Sequence, residues 1–140
     1  MKNQIKIAGI SFLLAFSLGS CATKTTFLTS TVVPAAEGTI RVKKDKNNNY
    51  DISITMYNLA EVERLEPPKK AYVLWMENEE GRVKNLGQIN SAHEMLTKQL
   101  KATFKTVSPF KPTKIYITAE DEANVNVPSS MVVLLSNSIH

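Results

Sequence analysis

Cys21 is the one cysteine of the chain, and its thiolate is the best nucleophile this sequence offers. It follows an uncharged apolar stretch, Ile7 to Leu18, and two small residues, Gly19 and Ser20. Lys2 and Lys6 precede that stretch. A basic beginning, a short apolar core and small residues after it are the parts of an export signal. Such a stretch spans only about 18 Å as a helix, short of the roughly 30 Å of a bilayer core, so it reads as an address and not as a permanent membrane helix.

Other chemistry is sparse. His93 and His140 are too few for a His-rich metal site, and neither has a carboxylate at helical or strand spacing. They read as loop and terminal histidines. There is no Gly-x-Ser-x-Gly elbow and no Gly-rich phosphate loop, and of 5 glycines Gly9 and Gly19 fall in the leading segment. Glu120-Asp121-Glu122, with Asn124 and Asn126, offers several oxygen ligands of the kind calcium prefers, without the spacing or glycine of an EF-hand. The plainer reading is a solvated acidic loop between two strands, and Glu61, Glu63 and Glu66 read the same way. No catalytic constellation, cofactor site or metal site is therefore expected, and the chain does not read as an enzyme.

Leu18-Gly19-Ser20-Cys21 resembles the lipobox of bacterial lipoproteins: a branched aliphatic residue, two small residues and the cysteine. The resemblance implies that Leu18, Gly19 and Ser20 are recognised by the signal peptidase and that the Cys21 thiol carries diacylglycerol. Cleavage then falls before Cys21, and the new amino group is usually acylated. It divides the chain into a signal peptide over 1–20, a lipidated cysteine with a short polar tether over 21–26, and a domain over 27–140. Residue Ala22 is not the aspartate that often retains lipoproteins at the inner membrane. In an organism with two membranes this favours the outer one. Loss of Lys2 and Lys6 from the 17 basic residues lowers the net charge from +4 to +2, which removes most of the case for nucleic acid. With its sulfur alkylated, the exported domain has no disulfide and must be held by its core alone.

The elements behind Cys21 read as strands. Tyr50, Ile52, Ile54 and Met56 alternate with Asp51, Ser53 and Thr55, and Ile40 and Val42 alternate with Arg41 and Lys43. Ala71 to Met76 is nearly all apolar and reads as a central strand covered on both faces. Val83 to Ile89, Lys114 to Thr118 and Met131 to Leu135 complete the pattern. The turn signals between them are Lys46-Asn47-Asn48-Asn49, Glu66-Pro67-Pro68, Glu79-Glu80-Gly81, Pro109 with Pro112, and Pro128-Ser129-Ser130. Ser91 to Leu96 reads as a loop or helical turn with a capping-box spacing, followed by a strand from Lys98 to Thr106. Leu96, Leu100 and Phe104 also fit one face of a longer helix. The fold class is all-β, a single sandwich of about seven strands.

The order of motifs is similar to the extracytoplasmic C-terminal domain of anti-sigma-K factors over about Gly38 to Ser136. Tyr72-Val73-Leu74-Trp75-Met76, Glu80-Gly81-Arg82-Val83, Leu86-Gly87, Ile115-Tyr116-Ile117-Thr118-Ala119-Glu120 and Met131 to Ser136 after Pro128 carry the similarity. It implies an immunoglobulin-like sandwich. Trp75 could be a ligand platform for sugars or peptides, but between Val73, Leu74 and Met76 in the most apolar strand it reads as a core residue. The resemblance does not carry sigma-factor inhibition, because a cytosolic helical domain has no counterpart ahead of the signal. The leading functional expectation is a lipid-anchored, noncatalytic interaction or structural module of a bacterial envelope, facing away from the cytoplasm. It is held to the membrane through Cys21 and works with an envelope protein partner. The alternative is an accessory regulator in an envelope-stress pathway.

Overall fold

The computed structural model describes residues 21–90 and 100–140. Eight strands occur in the order β1 (Thr23–Thr26), β2 (Glu37–Lys44), β3 (Tyr50–Tyr57), β4 (Ala71–Asn78), β5 (Val83–Ile89), β6 (Lys101–Ser108), β7 (Pro112–Glu120) and β8 (Val132–Leu135). A single 3-10 turn, Val62–Arg64, interrupts the β3–β4 connection. All pairings are antiparallel and build two four-stranded sheets, ordered β1-β2-β3-β6 and β5-β4-β7-β8. With β2 and β3 central in the first sheet and β4 and β7 central in the second, the two layers give the expected all-β sandwich. β1 adds an eighth strand at one edge.

Period-two alternation explains the layers. Ile40 and Val42, then Ile52, Ile54 and Met56, face inward from the first sheet and are nearly inaccessible. Tyr72, Leu74 and Met76 meet them from β4, and Ile115, Ile117 and Ala119 from β7. Each such burial contributes about 1.5–3 kcal/mol relative to exposure for a large aliphatic side chain. Turn chemistry joins the strands as the sequence suggests. In the β2–β3 hairpin the Asp45 carboxylate accepts N–H bonds from Asn47 (2.7 Å) and Asn49 (2.9 Å), while Asn48 takes a φ of 63°. In the β4–β5 hairpin the Asn78 side chain accepts from the Glu80 and Arg82 amides, and Gly81 takes a φ of 75°, a backbone region that favours glycine.

Two expectations are corrected. Residues 21–26 do not form a free tether, because Thr23–Thr26 pairs with Thr39–Val42 in register. The segment has no apolar alternation to mark it, yet its backbone completes the sheet edge and Thr23 and Thr25 are half-buried. The domain therefore begins two residues after Cys21. Gly38 lets the chain leave this edge: a Cβ there would stand 2.7 Å from the Thr55 carbonyl and 3.0 Å from the Phe27 ring. Phe27 then bridges to Ser136, which carries the chain across to the second sheet.

The second correction concerns Trp75. It is fully buried, as expected, but not between the sheets. It shares a separate apolar cluster with Ala71 and Val73 on the outward side of β4, against Tyr116, Ala123 and Val125. The reading of Ala71 to Met76 as a strand covered on both faces holds, with the β7–β8 connection supplying the outer cover. Of the strand expected over Lys98 to Thr106, the described part is β6, and residues 98–99 lie outside the described residues, as does the turn expected at 91–96.

Candidate functional site

Cys21 is exposed and stands immediately ahead of the edge strand β1. Thr23 pairs with Val42, so Cys21 lies at the end of the sandwich that carries the β2–β3 and β4–β5 turns. The opposite end holds the β3–β4 and β7–β8 connections, about 26 Å away along an eight-residue strand. The residues Leu18, Gly19 and Ser20 lie outside the described residues, and so does His93. His140 is exposed, and its carbonyl oxygen accepts a 3.5 Å bond from the Thr23 hydroxyl.

The acidic run after β7 is taken apart by strand parity. Glu120, the last residue of β7, points outward beside Thr118 and is only 5% exposed. Trp75 Nε1 donates to Thr118 Oγ1 at 2.7 Å, and the Thr118 hydroxyl donates to Glu120 Oε1. The Ser129 amide donates to the same carboxylate oxygen at 2.8 Å, and Ser129 Oγ donates to the Ala119 carbonyl. Glu120 is thus a buried clasp and not part of a solvated loop. Asp121 turns the other way and meets Lys69 at 3.1 Å. Among the described residues no group of three or more His, Cys, Asp or Glu side chains could hold a metal ion.

Asn85 on β5 fastens the same connection. Its Nδ2 donates to the Ala123 and Val125 carbonyls at 3.1 and 2.8 Å. Sequence reasoning missed this clasp; Thr118-x-Glu120 on one side of a strand was the available signal. Tyr116 lies under the same cover, and burial, followed by the charge of Glu77, pushes its phenol above the usual range.

At the end away from Cys21 a groove of about 940 Å³ runs between the β1–β2 and β3–β4 connections and the start of β8, with Val33, Pro34, Leu65, Pro67 and Met131 in its wall. The two cations at its rim are already engaged, Arg64 with Glu61 at 2.9 Å and Lys69 with Asp121 at 3.1 Å. Glu61 and Arg64 therefore form part of a paired surface, and Glu66 borders the groove. The arrangement offers a shape and an apolar wall, with Ser129 and the Arg64 and Lys69 side chains already engaged within the protein. No protein-family model, no curated protein and no solved structure matches this chain.

Proposed function

We propose that the chain is a lipid-anchored, noncatalytic interaction or structural module of a bacterial cell envelope, attached through Cys21 and facing away from the cytoplasm. The observation that carries this reading is the position of Cys21: exposed, the only cysteine, and separated from the first strand by Ala22 alone. A lipid at that sulfur holds the sandwich close to the membrane surface, with the groove at its other end open to an envelope protein partner. Two or three acyl chains anchor stably, whereas one myristoyl-sized chain binds marginally, since each buried CH₂ contributes about 0.8 kcal/mol. In an organism with two membranes, Ala22 after the cysteine favours the outer membrane.

Fractionation of cells expressing the native chain and Cys21→Ser tests the reading. The native chain is expected in the detergent-soluble membrane fraction and the variant outside it. A variant that remains membrane-bound at the mature size contradicts the anchor. Crosslinking in intact membranes, followed by recovery of a stoichiometric envelope protein, tests the interaction role.

A second reading, accessory regulation in an envelope-stress pathway, rests on the resemblance to anti-sigma-K factors. Trp75, Thr118 and Glu120, three of the residues that carry this resemblance, share one hydrogen-bonded chain. A deletion that leaves the envelope-stress transcriptome unchanged removes this reading.

A further inference from the structure

No described segment covers the outward side of the β1-β2-β3-β6 sheet, and its register places three cations in one row. Lys24 is paired directly with Arg41, Arg41 with Ser53, and Ser53 with Lys105. The row crosses all four strands over about 14 Å, three inter-strand spacings. Lys43 stands one outward position along β2, and Lys101 lies on the same side of β6. Against these five cations the face sets only Glu37 and Asp51 among its described residues, Asp51 directly opposite Lys43 and neither in the row itself.

Two features make this arrangement costly for the fold alone. Like charges directly opposite one another on antiparallel strands destabilise the pair, and Lys24 faces Arg41. Elsewhere four cations find carboxylates, Arg64 with Glu61, Lys69 with Asp121, Arg82 with Glu80 and Lys111 with Glu79, while Lys46, Lys70, Lys84 and Lys114 stand singly and not in a row. Among the described residues Lys24, Arg41, Lys43 and Lys105 are in no ion pair, and all four are exposed. A local conflict without an internal compensation points to a partner outside the chain. The row begins three residues after Cys21, at the corner of the sheet from which the lipid extends. Val107, 56% exposed, adds an apolar side chain to the same face.

We infer that this face lies against the membrane that carries the anchor and binds its anionic phospholipid headgroups. The inference rests on the lipid-anchor reading for the proximity of the two surfaces. It adds that the domain is oriented, with the β1-β2-β3-β6 sheet toward the bilayer and the Trp75 side away from it. Basic residues beside an acyl chain supplement its hold and make it depend on lipid charge and salt.

The test uses the purified full chain, reconstituted into vesicles of phosphatidylcholine alone or with a third phosphatidylglycerol, and reads lysine acetylation by mass spectrometry. Lys24, Lys43 and Lys105 are expected to react about three-fold more slowly on the anionic vesicles, an effect that half-molar salt abolishes. Lys69 and Lys70, at the opposite end, are expected to react equally on both. Arg41→Glu with Lys105→Glu is expected to remove the protection at Lys24 and Lys43. Equal reactivity of Lys24, Lys43 and Lys105 on the two vesicles overturns the inference. A chain that floats with neither vesicle in half-molar salt refutes the anchor by itself. The face is then read by flotation at low salt: binding to anionic vesicles alone supports it, and no binding overturns it.

Discussion

The two outward faces of this sandwich are built on opposite terms. On the β5-β4-β7-β8 side, Ala71, Val73 and Trp75 turn apolar surface outward, and the chain itself covers it with Ala123 and Val125. The Glu120 and Asn85 hydrogen bonds hold that cover down. On the β1-β2-β3-β6 side the outward residues are mostly threonine, serine, lysine and arginine, with Glu37, Asp51, Tyr57 and Val107 among them, and no described segment covers them. The comparison teaches where stability is made and where it is given up. One face closes its own hydrogen bonds; the other keeps Lys24 opposite Arg41 with no carboxylate in the row.

The largest expected effect is on the covered face. Trp75→Ala removes an indole that is fully buried and should cost about 3–5 kcal/mol, read by chemical denaturation. A variant with unchanged stability would mean that the cover does not seat as described. Glu120→Ala comes next. It leaves the Thr118 hydroxyl and the Ser129 amide without their acceptor, and should cost about 1–3 kcal/mol. Hydrogen exchange should then accelerate in the β7–β8 connection before it does in β3 or β6; uniform acceleration would contradict the separation of cover from core.

Tyr72 probes the inward side of the same β4 strand. Burial, with a smaller contribution from Glu63, pushes its phenol from 10.0 to about 12. The unfolded phenol ionises first, so the stability this group gives is complete below pH 10 and is lost as pH rises toward about 12. Tyr72→Phe loses the 2.8 Å bond to the Ala60 carbonyl, costing about 1 kcal/mol at neutral pH, and should flatten that alkaline decline. A decline as steep as in the native chain would assign it to another group. The smallest effect has the opposite sign. Lys24→Glu replaces a like-charge pair with an attractive one and should stabilise the sheet by about 0.2–1 kcal/mol, read by thermal melting at low salt. A loss of stability would show that the row is internally compensated.

Alternation made most of the strands legible, because the sandwich buries one side of β2 and β3 and water solvates the other. The Asn-rich and Gly turns were legible for a similar local reason. β1 was not, since Thr23-Lys24-Thr25-Thr26 joins the sheet through its backbone and half-buried threonines without an apolar stripe. The side that Trp75 occupies was also hidden. In a run apolar at every position, period two carries no information about which face looks inward. Glu120 looked like its acidic neighbours, and only its place as the final residue of β7 separates it from Asp121. The cationic row was present in the composition as scattered lysines. Register alone brings residues as distant in sequence as Lys24 and Lys105 into line.

Both the orientation of the faces and the envelope role depend on what Cys21 carries. The most direct measurement is the intact mass of the protein purified from bacterial membranes, with fragmentation of its first peptide. The account predicts a chain that begins at Cys21 and bears diacylglycerol on its sulfur. A chain with an unmodified Cys21, whether its leading residues are retained or removed, would contradict it.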